Sequence, residues 1–289
     1  MHGITVDVED WFHVLEAAEA PQPAAWARQE SRVAANTLRL LDLFDGRGVR
    51  ATFFCLGWVA ETVPDLIGEI ARRGHEIGSH GHLHQLIGEL GRDGFARDLD
   101  RSLEALHKAG AGAVRLFRAP GFSLGKAQGW ALPVLVSRGI TVDASMFLAR
   151  RAHGGYALKR RRPFDVVLPD GRTLTEAPTV PLYLGDRALP FAGGGYLRLL
   201  PWPALRACWE AAQWAGNPVL AYVHPREIDP GQPRMPLSAK RRFKYYVGLS
   251  TTLPKLERLL GRYRFGSIGQ VIAAHAKDHA LHLDAEAVA

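Results

Sequence analysis

Residues 49–84 read VRATFFCLGWVAETVPDLIGEIARRGHEIGSHGHLH, a stretch in which strand-like and helix-like patterns alternate. Val49–Leu56 is rich in β-branched and aromatic residues, which predicts a buried strand. Glu61–Arg73 has a proline near its first turn and a glycine just after its end, as helices commonly do. His75–Ser79 is the next predicted strand. A strand, a helix and a second strand in this order indicate a βαβ unit with two parallel strands.

The same alternation continues towards both ends of the chain. The other predicted strands are Gly3–Val6, Val114–Phe117, Ile140–Val142 and Val219–Val223, and the other predicted helices are Val33–Leu43, Phe95–Lys108, Ala127–Ser137, Ala204–Ala215, Lys255–Gly261 and Ile268–Lys277. Six or seven such units without a linker predict an α/β fold with a parallel sheet, and they favour a barrel over an open sheet. We expect a single domain over residues 1–289, with 235–289 as its C-terminal helical part.

Residues 145–200 depart from this alternation and are rich in arginine and glycine. We expect an irregular insertion here. Within it, Val166–Leu168 and Thr173–Thr175 flank the Asp170–Gly171 dipeptide, which is a hairpin signal.

Composition excludes several classes of protein. Of the 289 residues, 47% are hydrophobic and 22% are charged, which excludes a disordered or collagen-like chain. The two cysteines, Cys55 and Cys208, form no C-x-x-C pattern, which argues against a disulfide scaffold or a thiolate metal site. No apolar run is long enough to cross a membrane, and no basic stretch followed by an apolar segment opens the chain. The sequence as given therefore predicts a cytoplasmic protein, and its net charge of +7 is compatible with acidic partners.

The predicted strands end in side chains that can carry chemistry. In a β/α barrel, functional groups collect at the C-terminal ends of the strands. Five predicted strands are followed there by carboxylates, imidazoles or a guanidinium: Asp7-Val8-Glu9-Asp10, His80-Gly81-His82-Leu83-His84, Arg118, Asp143 and His224.

His80 and His84 are spaced so that both imidazoles can reach one ion. Two histidines and one carboxylate leave coordination positions open for water, as in a hydrolytic metal site. We expect the carboxylate to come from the acidic group after the first strand, because clustered buried carboxylates need a cation or a proton. The alternatives are a solvated histidine-rich loop and, for Asp10, the capping of a helix.

In combination, these motifs resemble the polysaccharide deacetylases of carbohydrate esterase family four, the group with NodB homology. TVDVED stands where that family usually has TFDDG, SHGHLH resembles its H-[ST]-x-x-H motif, and RAPG, VDAS and YVHP resemble its three later motifs. The stretches ATFFCLGWVAE, GHEIGSHGHLH, GGGYLRLLPW and FKYYVGLSTTLPKLERLL are similar to the subgroup associated with exosortase-linked exopolysaccharide clusters. That subgroup is in turn similar to allantoinase-like and cytoplasmic-type peptidoglycan deacetylase proteins.

The resemblance implies a deformed (β/α) barrel of about seven strands that hydrolyses the N-acetyl group of an N-acetylhexosamine. In these terms Asp7 is the general base, and Arg118 orients it. His224 is the general acid, and Asp143 tunes it.

The resemblance also implies that His80 and His84 bind one divalent metal ion, with Zn²⁺ expected first and Co²⁺, Ni²⁺ or Fe²⁺ as alternatives. The family's usual third ligand falls on Val8. Because a strand alternates faces, Asp7 and Glu9 would point the same way, which favours Glu9 as the ligand. Asp10 remains the competitor, because a strand end often turns.

The expected substrate is a polysaccharide or a lipid-linked glycan. Pro120, Gly121 and Phe122 would bind it, with a backbone N–H near Gly121–Phe122 stabilising the oxyanion, and Tyr196 would stack on a sugar ring. The run Gly193–Gly195 fits either a lid near the glycan or a tight packing turn. Alternative functions are hydrolysis of a small amide and a silent glycan-binding barrel.

The basic runs at Lys159–Arg162 and Lys240–Arg242 have no nucleic-acid recognition motif nearby, so no nucleic-acid partner is expected. A homo-oligomer is compatible with the resemblance.

Overall fold

The computed structural model describes residues 1–15, 17, 19–149, 153–156, 158–184 and 187–288, with the side chains of residues 184 and 187 left aside. Its strands are β1 (His2–Val8), β2 (Thr52–Cys55), β3 (Glu76–Ser79), β4 (Leu116–Phe117), β5 (Val142–Asp143), β6 (Phe164–Val167), β7 (Thr173–Glu176), β8 (Leu182–Leu184), β9 (Arg187–Leu189), β10 (Leu220–Val223), β11 (Phe265–Gly266) and β12 (Asp278–His282).

The helices are distributed along the whole chain. They are α1 (Pro23–Trp26), α2 (Val33–Asp45), α3 (Gly57–Thr62), α4 (Pro64–Arg72), α5 (Ile87–Lys108), α6 (Ala131–Ser137), α7 (Gly194–Leu199), α8 (Trp202–Trp214), α9 (Ala239–Tyr246), α10 (Leu249–Arg262) and α11 (Ile268–Ala274). Within the described ranges, no helix is both long and apolar enough to cross a lipid bilayer.

The main sheet follows the order β10-β1-β2-β3-β4-β5-β7-β6-β12, and β11 pairs with β1. Seven neighbouring strands, from β10 to β7, run parallel, which confirms the α/β fold and corresponds to the expected seven strands. The hairpin partner β6 is antiparallel to β7, and β12 then pairs parallel to β6. Among the described residues no ladder joins β10 to β12, so the strand path is seen as open.

Helices cover the sheet because their apolar stripes face it. Leu66, Ile67 and Ile70 of α4 are buried in one core cluster together with the side chains of β1 and β2. A second cluster forms where α5 and α6 pack near β4 and β6. Packing in these two core clusters holds the strands in position, and the strands in turn position the loops at their ends.

One predicted helix is two helices. The stretch predicted as Glu61–Arg73 divides at Val63, whose φ of −136° and ψ of 59° are not helical. The cause is Pro64, because a proline disfavours the α conformation in the residue before it. The new helix α4 begins at that proline, where its missing N–H is harmless.

The predicted insertion at 145–200 is partly integrated into the sheet. The hairpin across Asp170–Gly171 is confirmed, since β6 and β7 pair antiparallel on its two sides. However, β7 also pairs with β5 in the main sheet, with Asp143 opposite Glu176. Residues 150–152, 157 and 185–186 of this region lie outside the described residues.

Candidate metal and catalytic site

The strand order brings the sequence-predicted residues to one edge of the sheet. Because β10, β1, β3 and β4 run parallel, the residues at their C-terminal ends lie at the same edge. Asp7, Glu9, His80 and His224 line a cleft of about 500 Å³ at this edge. Arg118 is fully buried directly behind Asp7.

Glu9, His80 and His84 form a compact buried group with one ligand-type atom each. Oε1 of Glu9 lies 3.1 Å from Nε2 of His80 and 2.9 Å from Nε2 of His84. These three atoms are close enough together to share one ion. His82, between the two histidines, faces elsewhere, and its Nε2 lies 3.7 Å from Oε2 of Glu61.

The chemistry of these donors fits a divalent metal ion. Nδ1 of His80 donates to the backbone carbonyl of Arg118 at 2.7 Å, which leaves the Nε2 lone pair facing Glu9. Nε2 of His84 is buried and has no hydrogen-bond partner of suitable geometry among the described residues. Burial alone would raise the pKa of Glu9, but the imidazoles of His84 and His224 hold it well below its ordinary value. Two imidazoles and an ionised carboxylate are therefore in place.

Asp10, the other carboxylate considered as a metal ligand, instead accepts hydrogen bonds at the start of α2. Its Oδ2 accepts hydrogen bonds from Oγ of Ser31 at 2.7 Å and from the backbone N–H groups of Arg32 and Val33 at 2.9 and 3.1 Å. Asp10 thus caps the start of α2, and its Oδ1 accepts from the N–H of Trp11. The structure places Glu9, and not Asp10, with the histidines. The predicted capping role occurs at α2 and not at the residues that follow Asp10.

Asp7 is held by Arg118. Nη1 of Arg118 donates to Oδ1 of Asp7 and to Oγ1 of Thr5, both at 2.7 Å. The guanidinium also lies over the ring of Phe54, 4.3 Å from its centroid. The other carboxylate oxygen of Asp7 lies 3.9 Å from Nε2 of His224 and remains on the cleft side. Arg118 therefore fixes the Asp7 carboxylate from the side away from the cleft.

His224 is oriented by Glu227, a residue that the sequence reasoning missed. Oε2 of Glu227 lies 3.2 Å from Nδ1 of His224 and accepts the backbone N–H of His224 at 3.0 Å. On its other side, Glu227 accepts from Nε of Arg198 at 3.2 Å. The spacing His-Pro-x-Glu could have revealed it, because a glutamate three residues after a turn start reaches back to that start.

The charges around His224 shift the pKa values of both His224 and Glu227. Burial alone would lower the pKa of His224, but the carboxylates of Glu9 and Glu227 raise it above its ordinary value. Burial alone would raise the pKa of Glu227, but His224 and Arg198 lower it to about 2. An imidazolium with an ionised partner is suited to give up a proton at Nε2.

Asp143, expected to tune His224, lies elsewhere. Its Oδ1 accepts from Oγ of Ser145 at 2.5 Å, and its carboxyl group interacts with that of Glu176 on the neighbouring strand. In the described ranges no contact joins Asp143 to His224. Burial raises the pKa of Asp143, and burial together with the charge of Asp143 raises the pKa of Glu176 well above its ordinary value. The raised pKa of Glu176 favours its protonated form beside the carboxyl group of Asp143.

The residues expected to bind substrate divide into two groups. Gly121, Phe122 and Tyr196 line the cleft, whereas Pro120 packs behind it towards Gly81. The N–H of Phe122 donates to the carbonyl of Ala119 at 3.0 Å, so it is already used in a turn. No such acceptor is recorded for Gly121 N–H in the described part of the chain, which leaves it as the candidate oxyanion donor.

Close packing explains two glycines of the run Gly193–Gly195. A Cβ at Gly193 would collide with the ring of Tyr222, and one at Gly194 would collide with the carboxylate of Glu227. Gly195 is different, because it is exposed at the cleft wall and the nearest atom, on Arg198, is 3.8 Å away.

Two family models match the chain. Residues 27–132 match the model described as polysaccharide deacetylase, and residues 144–273 match one described as a domain of unknown function, DUF3473. Over 84 residues the chain is 32% identical to a peptidoglycan-N-acetylglucosamine deacetylase of Bacillus cereus. This match covers 29% of this chain and 30% of the relative. Over 71 residues it is 32% identical to chitin deacetylase 1 of Saccharomyces cerevisiae, covering 25% of this chain and 24% of the relative. The chain thus spans less than a third of these relatives' lengths.

A solved structure from Mycobacterium smegmatis, provisionally assigned as a polysaccharide deacetylase, is similar to this fold. The TM-score is 0.62 with 21% sequence identity, and the match covers 94% of this chain and 88% of that one. At this identity the likeness concerns the fold alone.

Proposed function

We propose that this chain, whose residues 27–132 match the model described as polysaccharide deacetylase, is a metal-dependent hydrolase of N-acetyl groups on the N-acetylhexosamine units of a polysaccharide. The finer assignment to exopolysaccharide synthesis, through the exosortase-associated subgroup, stays a prediction. One observation carries the proposal. Glu9, His80 and His84 converge within bonding reach of one ion, and Asp7 and His224 face the same cleft beside them.

Glu9, His80 and His84 would hold the ion, and zinc fits two imidazoles and a carboxylate. When bound, such an ion lowers the pKa of a water molecule and polarises a carbonyl group. The carbonyl of Arg118 fixes the ring of His80, and that contact keeps its Nε2 available.

The chain's own residues would move the protons. Asp7, fixed by Arg118, takes a proton from the attacking water at its free oxygen. His224, fixed by Glu227, then gives a proton from Nε2 to the leaving amine, so that acetate and a free amino sugar are released. The N–H of Gly121 would donate to the acetyl oxygen as charge develops there.

The test is acetate release from N-acetylglucosamine oligomers, with allantoin as the small-amide comparison. Asp7→Asn and His224→Ala should each lower turnover by roughly 100-fold or more, because each removes a proton-transfer group. Metal content, measured by elemental analysis, should stay at the wild-type level in Asp7→Asn. Asp93→Asn, an exposed site on α5, is the control and should keep wild-type turnover.

Wild-type turnover by Asp7→Asn would contradict the assignment of the base. Turnover of allantoin without any acetate release from sugars would contradict the proposed substrate class.

A further inference from the structure

The outer part of the cleft carries two cations that form no ion pair with the described residues. Arg226 and Lys244 both line it, and among the described residues no carboxylate lies within ion-pair distance of either. The carboxylates of the same cleft are all engaged. Asp7 pairs with Arg118, Glu9 lies against the imidazoles, and Glu227 pairs with Arg198 and His224. The mouth of the cleft therefore has an excess of positive charge.

The position of Arg226 is fixed by its neighbours, although its buried Nε has no hydrogen-bond acceptor among the described residues. It follows His224 by two residues, and its guanidinium lies 5.3 Å from the ring centroid of Tyr245. That ring is fixed in turn, since its hydroxyl donates to the carbonyl of Leu15 at 3.1 Å. The backbone of Arg226 is fixed by Nε2 of Gln232, which donates to its carbonyl at 2.8 Å.

The donors of Arg226 lack an acceptor. Its Nε is buried and has no hydrogen-bond partner in the described ranges. A buried charged donor without an acceptor costs free energy, so a site of this kind is stabilised by an anion that reaches it. Guanidinium binds carboxylate and phosphate groups with two parallel hydrogen bonds.

An apolar surface lies beside these cations. Phe243 of α9 is 60% exposed and Leu199 of α7 is 49% exposed, and both line the cleft. Exposed apolar groups at a cleft commonly mark a binding groove. The mouth can thus accept the apolar face of a ring and an anionic group at the same time.

From these observations we infer that Arg226 and Lys244 form an anion subsite for a glycan whose acetylated sugar is linked to a negatively charged unit. The inference rests on the proposed function and names its substrate more closely. The shared ligand chemistry is an oxyanion, which in a sugar chain is the carboxylate of a uronic acid and in an activated precursor is a phosphate.

Three probes separate these sources. The tetramer of N-acetylglucosamine, called chitotetraose here, is neutral. A hyaluronan tetrasaccharide alternates N-acetylglucosamine with glucuronate, and UDP-N-acetylglucosamine carries a diphosphate. The apparent dissociation constant of each is measured with the metal-loaded enzyme, from turnover or from competition with chitotetraose. Wild-type enzyme should bind one anionic probe about tenfold more tightly than chitotetraose, the ratio that one charge-assisted hydrogen bond provides.

The variants assign that preference to the subsite. Arg226→Gln should remove most of the preference, Lys244→Gln part of it, and added salt should weaken it in the wild type only. Arg242→Gln is the matched control, because Arg242 is exposed on the same helix α9 but does not line the cleft. A preference for the tetrasaccharide identifies a uronate partner, and a preference for the nucleotide sugar identifies a phosphate.

The inference is overturned if neutral chitotetraose binds as tightly as both anionic probes, or if Arg226→Gln keeps the wild-type ratio. Either result leaves the proposed function standing when acetate is still released. Absence of acetate release from every N-acetyl sugar, with tight binding of an anionic probe lost in Arg226→Gln, would instead overturn the function and keep the subsite.

Discussion

The floor of the cleft and its mouth are built in different ways. The floor, which contains Asp7, Glu9, His80, Gly121 and His224, consists of residues at the ends of parallel strands or in the loops that follow them. The mouth, which contains Gly195, Leu199, Arg226, Phe243 and Lys244, consists of residues in helices α7 and α9 and in the turn after β10. Strand ends converge by geometry alone, whereas helix and turn residues meet only after packing. The difference indicates that the groups proposed to react can be identified from the sequence. The groups proposed to bind the rest of the substrate cannot, because their positions depend on packing.

The two regions also differ in how their charges are balanced. Each described carboxylate on the floor has a guanidinium or imidazole partner, so no negative charge there is left unpaired. The mouth keeps Arg226 and Lys244 without acidic partners among the described residues. The paired charges at the floor are suited to holding an ion and transferring protons. The unpaired positive charges at the mouth are suited to selecting an anionic ligand.

The largest effect is expected within the floor, between two adjacent carboxylates. Glu9→Gln should remove most of the bound metal and lower turnover by roughly 100-fold, because one ligand loses its charge. Asp10→Asn should keep the metal and instead lower the free energy of unfolding by about 1 kcal/mol, since it weakens the cap of α2. Elemental analysis and urea unfolding measure the two effects. Loss of metal in Asp10→Asn alone would reverse the assignment.

A smaller effect should separate the two carboxylates considered for His224. Glu227→Gln should lower kcat by about tenfold or more with little change in KM, because the charge that orients the acid is lost while the substrate contacts stay. Asp143→Asn is the comparison, and its effect on kcat should be smaller because it does not contact His224 in the described structure. An equal or larger loss in Asp143→Asn would restore the role first expected for that residue.

The smallest effect concerns stability behind the floor. The folded-state pKa of Glu176 is raised, so its proton stabilises the fold below the unfolded pKa of about 4.3, and this stability is lost as the pH rises towards the folded pKa. Each pH unit across that window should lower the free energy of unfolding by about 1.4 kcal/mol at most. Glu176→Gln should flatten this dependence in thermal unfolding at several pH values. An unchanged or steeper dependence in the variant would contradict the raised pKa of Glu176.

Sequence reasoning recovered the α/β fold and the residues of the floor because both follow from local patterns. Strand periodicity located β1, β3 and β10, and the position after each strand gave Glu9, His80 and His224. Strand alternation favoured Glu9 but could not exclude Asp10, because the role of Asp10 depends on where α2 begins relative to the loop that carries it. It also assigned Asp143 to His224, since nothing local shows that Glu176 lies on the neighbouring strand and pairs with Asp143.

The three consecutive glycines have a practical consequence for redesigning this protein. A side chain at position 194 would collide with Glu227 and disable the acid, and one at 193 would displace Tyr222. Position 195 is open and belongs to the cleft wall, so a new side chain can be introduced there without a clash. Saturation mutagenesis at this single codon is thus a way to change what the cleft binds while the proposed metal ligands and proton-transfer groups stay unchanged.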